Sequence, residues 1–174
     1  IWDKGKAAVI WSETTVTDPA GQVLWKQKRS IFARGEGGFG GDRGPSAGVA
    51  IPDREPDLEI DVPTLPQQAL LYRLCGDRNP LHSDPEFASA AGFPRPILHG
   101  LCTYGMTCKA LVDTLLDGDA AALGSYGARM AGVVFPGETL RVTAWKGDDG
   151  YVGNVTVPAR DNAVALGDVE FRSV

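Results

Sequence analysis

The stretch GLCTYGMTCKALVDTLL, at positions 100–116, carries a long helical pattern. Its apolar side chains recur at the three- and four-residue spacing of one buried helix face. That face is formed by Leu101, Cys102, Met106, Leu111, Val112 and Leu115. Three or four strands close the chain after it, predicted over 123–134, 138–147, 150–158 and 163–173. A buried helix followed by consecutive antiparallel strands is typical of the α+β class.

The residues before this helix predict shorter elements. These are a strand over 58–62, a helix over 65–75, a loop over 77–84 and a short helix over 85–91. The sequence Thr-Leu-Pro-Gln at 64–67 resembles a capping box, which would begin the first of these helices. Gly76 can end that helix, because glycine tolerates the left-handed conformation that follows many helices.

The beginning of the chain predicts a long antiparallel hairpin over 6–17 and 22–33, with Asp-Pro-Ala-Gly at 18–21 as its turn. Residues 35–57 are rich in glycine and then in proline, and are predicted as a linker. The glycine run lacks the Gly-Lys-Ser/Thr ending of a phosphate-binding loop. We therefore divide the chain into 1–34, 35–57 and 58–174.

Composition narrows the range of partners. Of the 174 residues, 43% are hydrophobic and 22% charged, as in ordinary globular proteins. A net charge of -5 argues against a nucleic-acid partner, because phosphate binding usually needs a surplus of basic residues. No apolar run approaches the roughly 20 residues that cross a bilayer, so no membrane association is expected. Cys75, Cys102 and Cys108 are predicted to be free thiols in a reducing, cytoplasmic setting.

The stretch Tyr-Arg-Leu-Cys-Gly-Asp-Arg-Asn-Pro-Leu-His at 72–82 contains the most informative side chains. Asp77 and His82 lie five residues apart in a loop, where they can hold one water between a carboxylate and an imidazole. That arrangement suits general acid–base catalysis. Asn79 can supply a third contact to the water. The sequence therefore predicts a water-activating pair.

The start of the helix at 100–116 offers a second catalytic element. Helix N-termini present unpaired N–H groups and the positive end of the helix dipole. Gly100 has no side chain to block the approach of a carbonyl oxygen, so its N–H can stabilise a negative charge there. His99 is expected to order this helix start.

Residues 72–82 are similar to the signature of type 2 enoyl-CoA hydratases, also called MaoC-like dehydratases. The blocks Pro-Ile-Leu-His-Gly-Leu at 96–101 and Phe-Pro-Gly-Glu-Thr-Leu at 135–140 resemble the next two blocks of that family, in the same order. Gly-Gly-Phe-Gly-Gly at 37–41 resembles the linker of members with two hot-dog units. The resemblance covers nearly the whole chain.

The resemblance implies a hot-dog fold, in which an antiparallel sheet at 123–173 wraps the central helix 100–116. Residues 1–34 would be the last strands of an incomplete preceding hot dog, completed by a helix from an upstream segment. Residues 58–174 would be the catalytic hot dog. The substrate would be a trans-2-enoyl-CoA, hydrated to a (3R)-3-hydroxyacyl-CoA or formed from it by dehydration.

The resemblance also implies the roles of individual residues. Asp77 and His82 match the catalytic pair, Asn79 a water-positioning residue and Gly100 the oxyanion donor. The expected substrate or CoA contacts are Lys4, Leu81, His99 and Met130. Met130 stands where the family usually carries an aromatic residue, and the arginines at 73, 78 and 95 are more simply interpreted as solvated surface residues.

Two other functions are compatible with a hot-dog fold. A thioesterase would cleave the same class of substrate, and a non-catalytic subunit would only bind acyl-CoA. The Asp-Arg-Asn-Pro-Leu-His spacing favours the hydratase. No metal site is predicted, since Asp77 and His82 lack companions at metal-ligand spacing, and no nicotinamide or nucleotide motif is present. A homodimer, or a pairing of two hot-dog units, is expected.

Overall fold

The computed structural model describes residues 1–45 and 48–174, and the chain divides into two units, Ile1–Ala47 and Gly48–Val174. The division falls inside the segment 35–57 that the sequence predicts as a linker. Its described glycine-rich residues therefore belong to the first unit, and its proline-rich residues from position 48 onward belong to the second.

The first unit is a three-stranded antiparallel sheet of β1 (Trp2–Asp3), β2 (Ala7–Thr17) and β3 (Val23–Arg34). Asp18 fixes the turn of the predicted hairpin, because its Oδ1 accepts the N–H groups of Ala20 at 2.9 Å and Gln22 at 2.8 Å. The hairpin is confirmed to within one residue. Several large apolar side chains on it are half exposed or more, namely Val23, Leu24, Trp25, Ile31 and Phe32.

The carboxylate of Asp3 holds the glycine-rich run to the first unit, together with backbone bonds such as that from Asp3 N–H to the Asp42 carbonyl at 2.8 Å. Buried Asp3 accepts hydrogen bonds from the N–H groups of Gly5 at 2.8 Å, Gly38 at 2.8 Å and Gly40 at 2.7 Å. These bonds, that from Gly38 foremost, lower the pKa of Asp3 from 3.8 to about 2. The run is thus held against β1 at residues 38 and 40, whereas the sequence suggested only a flexible crossing.

The second unit is a five-stranded antiparallel sheet with one long helix, α3, against it. Its strands are β4 (Leu58–Pro63), β5 (Leu123–Met130), β6 (Thr139–Gly147), β7 (Gly150–Val157) and β8 (Ala163–Ser173), in the order β4-β6-β7-β8-β5. Helix α3 (Gly100–Leu115) contacts β4, β5 and β8. The predicted α+β hot-dog architecture is confirmed in this unit.

The core of the second unit lies between α3 and the sheet. Leu111 of the helix meets Leu140, Val155 and Phe171 of the strands there, and all four are essentially inaccessible to solvent. Complete burial of an apolar side chain of this size stabilises a fold by about 1.5–3 kcal/mol. Leu111 therefore anchors the helix against the strands.

The capping-box prediction at 64–67 is wrong. Helix α1 comprises only Gln68–Tyr72 and continues as a 3-10 turn at Arg73–Cys75, and no side chain caps its start. The Thr64 hydroxyl instead donates to the carbonyl of Glu138 at 2.7 Å and accepts from Gly137 N–H at 2.9 Å. A hydroxyl already bonded in this way is not available to the helix.

The remaining boundaries differ by small amounts, with one exception. The short helix α2 spans Pro85–Ala90. Strand β5 ends at Met130, although the sequence predicts it to 134. The N–H groups of Ala131 and Gly132 both bond to the carbonyl of Ala165, after which the chain leaves the ladder. No helix in the described part of the chain is long and apolar enough to cross a bilayer.

Candidate active site

The loop between α1 and α2 carries Asp77 and His82. Gly76 has a φ of 112°, which side-chain-bearing residues rarely adopt, and it turns the chain out of the preceding 3-10 turn. Asn79 Oδ1 then accepts the Leu81 N–H at 3.0 Å and caps a second 3-10 turn, Pro80–His82. The capping bond therefore helps to position His82, and Asn79 keeps its NH2 group and the second lone pair of Oδ1 for a water.

A backbone carbonyl fixes the tautomer of His82. Its Nδ1 lies 2.8 Å from the carbonyl oxygen of Ile97, which can only accept a hydrogen bond. Nδ1 therefore carries the proton in the neutral ring, and Nε2 keeps its lone pair. The ring is half-buried, so a reactant can reach it. Nε2 can act as a base because its lone pair is free.

His99 forms the buried side of the site. Its ring stacks on that of His82, with centroids 3.8 Å apart and 28° between the planes, and Tyr72 contacts it at 4.7 Å. Its Nε2 donates to the backbone carbonyl of Asp77 at 3.2 Å. Burial, followed by the charge of His82, lowers the pKa of His99 below 6.5, so this ring is neutral at pH 7. His99 thus joins the loop to the helix start.

The Asp77 side chain is exposed, and among the described residues it has one backbone partner, the N–H of Asn79 at 3.2 Å. One ligand-type atom from each of Asp77, His82 and His99 lies within 4.8 Å of the others. The sequence did not predict this group of three, because His99 is distant along the chain. His99 is thus the companion at metal-ligand distance that the sequence did not show, and these three residues are ones that could hold a metal ion.

The start of α3 faces the same group. Gly100 is exposed, and its N–H has no backbone partner in residues 1–45 and 48–174. His99 precedes it as the N-cap without a side-chain capping bond. Met130 lies beside Gly100, since its sulfur would be 3.1 Å from a β-carbon placed there. Gly100 and Met130, which come from separate segments and are both predicted to contact the substrate, are thus neighbours.

A cavity of about 200 Å³ opens beside His82. Its walls include Ser83, Arg95 and three prolines, Pro66, Pro96 and Pro136. Arg95 donates to the carbonyl of Pro136 at 3.1 Å and lies 4.8 Å from the Phe135 ring centre. The arginine is thus bound to the protein surface rather than fully solvated.

Leu81 and Lys4, also predicted to contact the substrate or CoA, form hydrogen bonds with the protein itself. Leu81 is half-buried, and its carbonyl accepts the N–H of Ile97 at 3.3 Å, so it joins the loop to the segment before α3. Lys4 belongs to the first unit, where its ammonium group donates to the carbonyl of Pro45 at 2.8 Å and lies 5.5 Å from the Trp2 ring centre. Its contact with CoA stays a prediction.

Comparison with known proteins identifies the family that this chain resembles. A model of the MaoC-like domain matches residues 48–165. An enoyl-CoA hydratase from Mycobacterium tuberculosis, ChsH3, is 72% identical over 98% of this chain and 60% of its own length. The peroxisomal enoyl-CoA hydratase 2 of Arabidopsis thaliana is 42% identical over 99% of this chain and 59% of its own length.

Solved structures agree with the fold. The crystal structure of a MaoC-like dehydratase from Phytophthora capsici superposes with a TM-score of 0.91 and 38% identity, covering 99% of this chain and 59% of that one. The chain therefore spans about three fifths of the length of these relatives.

Proposed function

The chain belongs to the MaoC-like domain family, and on this premise we propose that it catalyses the (R)-specific hydration of a trans-2-enoyl-CoA or the reverse dehydration. Relatives that share most of this chain's length carry the names enoyl-CoA hydratase and 3-hydroxyacyl-thioester dehydratase. The sequence and the site geometry give independent support to this proposal.

One observation carries the proposal. The hydrogen bond between His82 Nδ1 and the carbonyl of Ile97 leaves Nε2 unprotonated beside the exposed carboxylate of Asp77. A water held between these two groups can be deprotonated by the imidazole while the carboxylate orients it. The same segment leads directly into Gly100, so the base and the electrophilic helix start are held at adjacent positions.

The proposed reaction balances without an external reagent. His82 Nε2 takes a proton from water, and the hydroxide oxygen bonds to C3 of the enoyl group. The C2–C3 π electrons move toward the thioester oxygen, where the N–H of Gly100 stabilises the enolate. The enolate then takes a proton at C2 from the Asp77–His82 pair, which returns to its starting state. Addition from one side gives a single configuration at C3, which we propose to be (3R).

The proposed scheme uses no metal or organic cofactor, and the CoA belongs to the substrate. We further propose that Asn79, His99, Leu81 and Met130 border the reacting groups and that Lys4 contacts CoA. Residues 1–34 would contribute strands to a neighbouring hot-dog unit. Pairing of two hot-dog units, within one chain or between two chains, and a cytoplasmic location complete the proposal.

The experiment follows enoyl absorbance and free thiol together, with enoyl-CoA substrates of graded acyl length. We expect the enoyl absorbance to fall without thiol release, and chiral chromatography to show mainly the (3R) alcohol. Thiol release would identify a thioesterase instead. A mainly (3S) product would contradict the proposed (R)-specificity, and a racemic product would contradict the one-sided delivery of water. Binding without turnover would indicate a non-catalytic acyl-CoA-binding subunit.

A further inference from the structure

An ion pair at the end of the sheet lies outside the reacting groups. Arg160 closes a 3-10 turn after β7, and Glu138 stands just before β6. The guanidinium Nε donates to Glu138 Oε1 at 2.6 Å and Nη2 donates to Oε2 at 3.1 Å. The Glu138 side chain is only 11% exposed, so this two-pronged contact is shielded from water.

The pair also holds the two peptide groups that flank Val134. Arg160 Nη2 donates to the carbonyl of Val133 at 2.6 Å. Glu138 Oε2 accepts the N–H of Phe135 at 2.7 Å. Fixed on both sides, Val134 has little freedom to rotate its own carbonyl, and its side chain is buried.

The Val134 carbonyl reaches the segment that builds the candidate site. It accepts the N–H of Leu98 at 2.7 Å, and Leu98 is buried. The residue before Leu98 is Ile97, whose carbonyl sets the tautomer of His82. The residues after it are His99 and Gly100, the cap and first residue of α3. The hydrogen bond from Leu98 N–H to the Val134 carbonyl thus connects the residues held by the ion pair with both His82 and the start of α3.

We propose that Glu138 and Arg160 are positioning residues for the reaction: they hold Val134, which holds Leu98, which aligns the Ile97 carbonyl with His82 Nδ1 and the Gly100 N–H with the thioester oxygen. Without the pair, the loop at 133–138 loses the hydrogen bonds to the Val133 carbonyl and the Phe135 N–H. The carbonyl of Ile97 then shifts relative to the His82 imidazole. The His82 ring then samples its other tautomer, in which Nε2 carries the proton and cannot act as a base.

The kinetic test compares Arg160→Gln with a matched control. Arg141→Gln breaks a similar fork, from Arg141 Nε and Nη2 to the Asp61 carboxylate at 2.8 and 2.9 Å, and the two arginine side chains are 34% and 30% exposed. In the described part of the chain, the hydrogen bonds of the Arg141 side chain go to Asp61, which lies outside the 133–138 loop. We expect kcat to fall about 10-fold to 100-fold in Arg160→Gln with little change in KM, and to stay unchanged in Arg141→Gln. Equal effects on kcat would overturn the proposal.

A milder variant separates positioning from folding. Arg160→Lys keeps the charge but lacks the rigid planar fork that donates in parallel to both carboxylate oxygens while also reaching the Val133 carbonyl. We expect a well-folded protein with an intermediate kcat. A variant that melts at a lower temperature but retains the full kcat would show that the pair serves stability only, and would overturn the proposal.

The kinetic arm rests on the proposed hydratase function, so a second measurement does not use substrate. The chain has two histidines, and ¹⁵N NMR distinguishes protonated from unprotonated ring nitrogens in each. In the unmodified chain we expect His82 to be protonated at Nδ1 only, with the signals assigned by means of His99→Gln. In Arg160→Gln we expect a mixture of the two tautomers. An unchanged Nδ1–H tautomer in that variant would overturn the proposal even if hydration is confirmed.

Discussion

Asp3 and Asp77 both lie beside glycine-containing loops, but the protein uses their carboxylates in opposite ways. Asp3 is buried and receives backbone N–H groups from three glycines, and its pKa falls to about 2. Asp77 is exposed, has one weak backbone bond at 3.2 Å, and shares its surroundings with two imidazoles. A carboxylate saturated by backbone donors holds a loop, whereas a carboxylate left open can bind a reactant.

The two loops also differ in what surrounds the acid. The first unit binds its glycine run through charge and backbone donors, while large apolar side chains on its hairpin stay exposed. In the second unit a packed core supports the loop, so the side chains of that loop need not stabilise the fold. Sites built on a rigid scaffold can leave polar groups unsatisfied for chemistry.

The largest expected effect is at Asp77. Asp77→Asn should lower the hydration rate about 10²–10⁴-fold, because the amide cannot act as the charged half of the water-activating pair. His82→Ala should cause a loss of similar size. Thermal unfolding should be almost unchanged in Asp77→Asn, since its side chain accepts a single backbone bond. Near-full activity in either variant would remove the assignment of these residues to catalysis.

The reverse pattern is expected at Asp3. Asp3→Asn keeps the shape but cannot accept three N–H groups with a full negative charge, so the amides of Gly38 and Gly40 should lose protection from hydrogen exchange. The lowered pKa adds a pH signature: the stabilisation is complete above 3.8 and is lost as the pH falls toward about 2. Hydrogen-exchange mass spectrometry of the two chains over this range measures both effects. Equal protection in both would show that the carboxylate does not hold the loop.

The sequence indicates the surroundings of Asp77 more readily than those of Asp3. Asp77 and His82 lie five positions apart in one loop, so the sequence predicts their proximity, which the structure shows, while their catalytic role stays a prediction. Asp3 meets Gly38 and Gly40 across 35 and 37 positions, and His99 meets the Asp77 carbonyl across 22. Such contacts depend on how strands pair and how the core packs. Periodicity does not contain that information.

Thr64 shows why a correct motif can still predict the wrong contact. Its position before a helix suits a capping box, but the fold brings the turn at 137–138 close enough to use the hydroxyl first. A helix of one short turn, Gln68–Tyr72, is the result. Tertiary hydrogen bonds of this kind compete with local capping whenever a polar side chain becomes half-buried or more.

A smaller effect is expected from His99. Since burial lowers its pKa below 6.5, the unfolded chain binds more protons than the folded one, and stability should fall as the pH drops through about 6.5. His99→Phe keeps an aromatic ring against His82 and removes the titration. Urea unfolding between pH 7 and pH 5 should therefore show a shallower pH dependence in His99→Phe. Parallel curves for the two chains would contradict a neutral, buried imidazole.

The smallest expected effect is that of a chelator. Asp77, His82 and His99 bring three ligand-type atoms within 4.8 Å of one another, which makes a metal the obvious alternative to a water between the acid and the base. However, the two rings are stacked at 3.8 Å, and carbonyl groups already hold His82 Nδ1 and His99 Nε2. Each imidazole therefore has one nitrogen left, and the proposed mechanism uses that of His82 to take a proton from water rather than to bind an ion. Incubation with EDTA should therefore leave the hydration rate unchanged. If EDTA abolishes activity and added zinc restores it, the Asp77 carboxylate binds a metal. Asp77 and Asp3 would then differ in the ligand that each carboxylate holds.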